Sequence, residues 1–115
     1  MTLPHCIIEY ADELKHYIAP DSLLTCVHQA VLASDLFDVS HIKTRAVNYR
    51  HYQLDDNNLS FIHITIRLHQ GRSIAQRQAL SASVLKATEQ LGLRDTTITV
   101  EIIEMDTACY AKSSS

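Results

Sequence analysis

The sequence predicts an α+β fold: a two-layer α/β arrangement in which two duplicated βαβ units build one four-stranded sheet with two helices on one face. Three observations carry that prediction. Strand-like and helix-like periodicities follow one another as strand, helix, strand, and then again as strand, helix, strand. The two halves, about 4–52 and 59–105, are each roughly 50 residues long, enough for one βαβ unit apiece. Right-handed crossovers then return each helix to the sheet, and the simplest packing puts both on the same side. The opposite face is left without a cover, and a small domain with such a face usually oligomerises.

Each element has its own local warrant. The first strand is expected over 4–10, opening at Pro4 and running through the apolar stretch Cys6-Ile7-Ile8. Pro20 followed by Asp21-Ser22 is a helix start, and Leu23, Leu24, Val27 and Val31 recur at helical spacing, fading near Leu36. The stretch 41–52 is rich in β-branched, aromatic and long polar residues and reads as the second strand. Asp55-Asp56-Asn57-Asn58 marks the clearest loop. Beyond it Ile62, Ile64, Ile66 and Leu68 alternate with Phe61, His63, Thr65, Arg67 and His69, a period of two that argues a strand with one buried face. Ser73 and Gln76 fit a capping box for a helix that carries Leu80, Val84, Ala87 and Leu91 on one stripe. Gly92 stands where a C′ glycine belongs. The last strand is expected over 97–105, with Ile98, Val100 and Ile102 alternating.

Length and composition narrow the function. At 115 residues the chain is a single domain, 1–115. A net charge of −3 argues against nucleic acid as a partner, because phosphate binding needs a basic surface. No apolar stretch is long enough to span a membrane and no secretory signal is visible, so a cytoplasmic protein is expected. Three cysteines without a CxxC read as reduced thiols, and as small buried hydrophobes rather than nucleophiles. Seven histidines show no HExxH or paired-ligand spacing, so no metal is expected. His63 and His69 share a strand face but lie about 20 Å apart at six residues of strand rise, too far to hold one ion.

By position alone, Pro4 marks the first residue of an edge strand, Lys43 and Arg45 are solvated charges, and Arg72 flanks a helix cap. A resemblance gives them a sharper reading. PHCIIEY at the start, HIKTR in the second strand and FIHITIRLHQGRSIAQRQ in the second half resemble the 5-carboxymethyl-2-hydroxymuconate isomerases of the tautomerase superfamily. GRSIAQRQ…VLKATEQLG…TVEIIEM is likewise similar to the helix and strand of the small 4-oxalocrotonate tautomerases. The resemblance runs from Pro4 to about Met105. It implies a tautomerase-like homotrimer of duplicated βαβ protomers and a cofactor-free isomerase whose general base is an amino-terminal proline. The implied substrates are unsaturated hydroxy di- or tricarboxylic acids from aromatic breakdown, 5-carboxymethyl-2-hydroxymuconate of the homoprotocatechuate route first among them.

The chemistry asks for such residues. Moving a proton along a dienol acid needs a base that is neutral near physiological pH, and an α-amino group, with an ordinary pKa of roughly 7.7–8.0, is a suitable start. Cations at the ends of the substrate hold its carboxylates and stabilise the dienolate charge. Lys43 and Arg45, two residues apart on one strand face, and Arg72, just before the second helix, are the candidates. His5 is the one histidine placed near the site, with no assigned role. At the first basic position of the second strand the family carries arginine, whereas Lys43 keeps the charge without the bidentate fork. The carboxyl end after Met105 is also short for the family, which predicts a more open pocket.

Two alternatives accompany the expected tautomerisation of 5-carboxymethyl-2-hydroxymuconate: tautomerisation of a smaller keto or enol acid, or a non-catalytic trimeric binding protein with a blocked proline. The last follows from Met1-Thr2-Leu3. An internal proline nitrogen is a tertiary amide with no basic lone pair. Pro4 can therefore act only if those three residues are absent from the working protein, as they would be if Leu3 were the true start and its methionine were removed.

Overall fold

The structure, a computed structural model, describes residues 4–115. Met1, Thr2 and Leu3, and with them the expectation that they are absent from the working protein, lie outside the described residues. The elements are β1 (His5–Ala11), α1 (Pro20–Ala33), β2 (Lys43–Tyr49), β3 (Ser60–His69), α2 (Ile74–Glu89) and β4 (Thr96–Met105), with short 3-10 turns at Asp12–His16, Val39–His41 and Thr107–Cys109.

The four strands form one sheet in the order β2-β1-β3-β4. β1 pairs parallel with β2, and β3 parallel with β4, so each half is a complete βαβ unit. The halves join through antiparallel β1 and β3, with His5 opposite Arg67 and Ile8 opposite Ile64. One end of the sheet therefore gathers the starts of β1 and β2 and the ends of β3 and β4. This matches the fold read from the sequence.

The helix-side face is the core. Cys6, Ile8, Ile62, Ile64, Ile66 and Leu68 are fully buried there against Leu23, Val27 and Val31 of α1 and Leu80 and Val84 of α2. Burying each such aliphatic side chain is worth roughly 1.5–3 kcal/mol, so the two stripes suffice to fix both helices on one face. Ser73 accepts the Gln76 N–H while the Gln76 side chain accepts the Ser73 N–H, completing the expected capping box at the start of α2.

Local differences have local causes. α1 stops at Ala33 rather than near Leu36, because Asp35 turns left-handed at φ 60 and reverses the chain. β2 is shorter than the expected 41–52, since a 3-10 turn occupies Val39–His41 and the chain leaves the sheet after Tyr49. Gly92 is left-handed, at φ 69, yet lies two residues beyond the cap Gln90, with its N–H on the Glu89 carbonyl. Thr88 is buried where the expected stripe passed through Ala87, its hydroxyl satisfied by the Val84 carbonyl at 2.8 Å. Of the cysteines read as buried, only Cys6 is; Cys26 is half-buried, and Cys109 is exposed because it follows the last strand on a surface turn.

Candidate active site

Strand alternation sends His5 and Ile7 of β1, Lys43 and Arg45 of β2, and Thr65 and Arg67 of β3 to the face without helices. Register then decides which of them meet. His5 sits between Lys43 on one side and Arg67 on the other, and Ile7 lies opposite Arg45. Pro4 is buried next to His5, and its carbonyl accepts the Lys43 N–H at 3.1 Å, which seats it against the start of β2.

An open cavity of about 420 Å³ lies on this face, walled by His5, Ile7, Arg45, Arg67, Met105 and Tyr110. Among the described residues, no carboxylate is ion-paired with Lys43, Arg45 or Arg67. Asp106, also on the wall, has its carboxyl turned to its own turn, where it accepts the Ala108 N–H at 3.2 Å and the Cys109 thiol at 3.3 Å. Arg45 and Arg67 in the wall, with Lys43 opposite His5 in the strand register, make a site for a ligand with several negative charges. A second cavity of about 380 Å³ opens where β3 and β4 begin, but Glu13 and Asp95 accompany Arg94 there, so it has no such bias.

The imidazole of His5 records this field. Burial, then the charges of Arg45, Lys43 and Arg67, with His69 behind them, holds its pKa below the ordinary value. Burial pushes the neighbouring Cys6 thiol up to about 11, which keeps it protonated and unreactive. His5 also makes two directed contacts: Arg45 Nη1 reaches Nδ1 at 3.3 Å, and Nε2 lies 3.0 Å from the Tyr110 hydroxyl.

Of the expected site residues, Pro4, Lys43 and Arg45 come together around His5. Arg72 stands at the same end of the sheet but does not wall this cavity. Its Nη2 donates to the Leu36 carbonyl at 2.7 Å and its guanidinium lies 4.7 Å over the Phe37 ring, on the segment after α1. Two wall residues that bear directly on His5 escaped the sequence reading. Arg67 was legible as outward-facing, but its meeting with His5 depends on an antiparallel pairing some sixty residues apart in the chain. Tyr110 lies past the last periodic element, in the short carboxyl tail that was expected to leave the pocket open. That tail partly closes it: Tyr110 packs edge-on against His69 at 5.1 Å, which is why His69 is buried rather than outward in solvent.

A family model, 5-carboxymethyl-2-hydroxymuconate isomerase, matches residues 4–115. Among solved structures, a 5-carboxymethyl-2-hydroxymuconate delta-isomerase superposes with a TM-score of 0.87 at 18% identity, covering 98% of this chain and 89% of that one. A 5-carboxymethyl-2-hydroxymuconate isomerase from Deinococcus radiodurans superposes with a TM-score of 0.81 at 25% identity, covering 99% and 91%. A fused 4-OT, a symmetric trimer, superposes with a TM-score of 0.65 at 16% identity, covering 90% and 85%. No curated protein matches the sequence significantly.

Proposed function

The chain belongs to the 5-carboxymethyl-2-hydroxymuconate isomerase family and is an isomerase with the tautomerase fold, and from that membership we propose that it moves a proton within unsaturated hydroxy di- or tricarboxylic acids. The substrate proposed is 5-carboxymethyl-2-hydroxymuconate, in the breakdown of aromatic acids. The observation that carries this reading is the cluster of Lys43, Arg45 and Arg67 around His5, next to Pro4 and without a paired carboxylate among the described residues.

In this mechanism the Pro4 nitrogen, as a free secondary amine, takes the proton. The dienolate left behind spreads its charge towards oxygen, and the resulting ammonium returns the proton at the new carbon. No cofactor takes part. The cations serve twice: they bind the carboxylates, and they disfavour protonation of the amine, which keeps it unprotonated and free to take the proton near neutral pH. Lys43 and Arg45 bind carboxylate at the cavity. Arg72 is kept as a third carboxylate binder, at the same end of the sheet but outside the wall of this cavity. Lys43, lacking the arginine fork, leaves room for a second substrate class, smaller keto or enol acids, and a substrate panel separates the two.

The protein is proposed to work as a homotrimer in the cytoplasm. The uncovered sheet face, with Ile7 and Ile103 half-buried upon it, supports the assembly. Free Cys6, Cys26 and Cys109 suit a reducing compartment. Among the described residues, no helix is long and apolar enough to cross a membrane.

The test is an ultraviolet absorbance assay with 5-carboxymethyl-2-hydroxymuconate on two forms of the chain. Protein beginning at Pro4 is expected to turn the substrate over, and protein retaining Met1-Thr2-Leu3 is expected to be inactive. Equal activity of both forms would remove Pro4 as the base, and inactivity of the Pro4 form would remove the reaction.

A further inference from the structure

Three side chains in the cavity wall form a hydrogen-bond chain whose direction is forced. A guanidinium has donors and no acceptor, so in the contact between Arg45 Nη1 and His5 Nδ1 the arginine must donate. Nδ1 therefore carries the lone pair, and the single proton of the neutral imidazole sits on Nε2. That proton points at the Tyr110 hydroxyl, 3.0 Å away, so the phenol oxygen accepts. A hydroxyl that accepts from one partner still has its own proton to give. Among the described residues no acceptor takes it, although Tyr110 stands in the wall of a cavity edged by Arg45 and Arg67. His69, packed edge-on to the Tyr110 ring, directs its Nδ1 to the Thr107 hydroxyl at 3.3 Å instead.

We propose that the Tyr110 hydroxyl donates a hydrogen bond to an anionic oxygen of the bound substrate, aimed by Arg45 through His5. The chain reads Arg45 to His5 to Tyr110 to ligand, with every donor facing forward. Each bond polarises the next, so the last donor is stronger than an isolated phenol. The geometry also gives His5 a task that needs no proton transfer. It is a positioning residue, which passes the orientation of Arg45 to Tyr110 and which a charged imidazole could not fill, because protonated Nδ1 could no longer accept from Arg45. The low proton affinity of His5 agrees with that requirement. The ligand chemistry selected is a carboxylate oxygen of an unsaturated acid, met by a neutral donor among cations.

This inference rests on the reading of the cavity as a carboxylate site, and the experiment separates the two. Long-range ¹⁵N–¹H spectra of histidine-labelled protein near pH 7 are expected to show His5 neutral with its proton on Nε2; a proton on Nδ1 would overturn the chain. Calorimetric titration with cis,cis-muconate, which lacks the enol hydroxyl and cannot react, is expected to show Tyr110→Phe binding about tenfold more weakly than the unsubstituted protein, the size expected for a donor to a charged oxygen. Equal affinity would overturn the role of Tyr110 while leaving the isomerase reading intact. Muconate binding that depends on Tyr110, without turnover of the hydroxylated substrate by the Pro4 form, would refute the isomerase reading and keep the donor. No muconate binding by either protein would overturn both.

Discussion

His5 shows how a single residue couples the fold to pH. Its native pKa is lowered by burial and by Arg45, Lys43 and Arg67, with His69 contributing least, whereas in the unfolded chain it returns to about 6.5. Above that pH neither state holds the proton, and the residue does not penalise the fold. As pH falls below it, the unfolded ring takes a proton that the native ring resists, so native stability declines. Urea titrations at about pH 7 and about pH 5 are expected to show a larger loss for the unsubstituted protein than for His5→Phe. Equal losses would mean that His5 is not held neutral. The same residue marks a limit of sequence reading. Its nearness to Pro4 was legible because the two are adjacent, but its partners Arg67 and Tyr110 reach it across strand pairing and across the carboxyl tail. No local pattern encodes either approach.

At the scale of elements, legibility followed the range of the interaction. β3 and α2 were readable almost to the residue, because a period of two and a capping box are written within a few positions. β2 was readable as a strand but not in its limits, because its burial is slight: Lys43, Arg45, Val47, Asn48 and Tyr49 are exposed. An edge strand with so little apolar demand on either face leaves a weak periodic trace. The cap of α2 is open to a direct check. Ser73→Ala removes the acceptor for the Gln76 N–H and should lower stability by about 1 kcal/mol, read from chemical denaturation. A change near zero would show that the rest of the turn holds the helix start unaided.

For the molecule as a whole, the unpaired sheet face is the feature that sequence reasoning anticipated from layer counting alone. Two helices cover one side of four strands, and Ile7, Phe61 and Ile103 remain half-buried on the other, between polar neighbours. Sedimentation is expected to give the mass of three chains. Placing a charge at the middle of that face, as Ile7→Asp, should shift the mass to one chain while far-ultraviolet dichroism keeps its helical signal. A trimer that survives the substitution would locate the interface elsewhere.

The strand order carries a further consequence, for the protein during its synthesis. β1 is the first strand to leave the ribosome, yet it occupies the interior of the sheet, with β2 on one flank and β3 on the other. Its parallel partner follows only after α1, and its antiparallel partner ends at His69. Between the emergence of Tyr49 and that of His69 the nascent chain thus holds a first unit, β1-α1-β2, with the β1 edge still unpaired. Emergence of β3 is the event that closes that edge and seats Arg67 beside His5. The second unit completes the sheet, and it also shields the β1 edge of the first unit from other nascent chains, leaving only the outer edge of β2 open there.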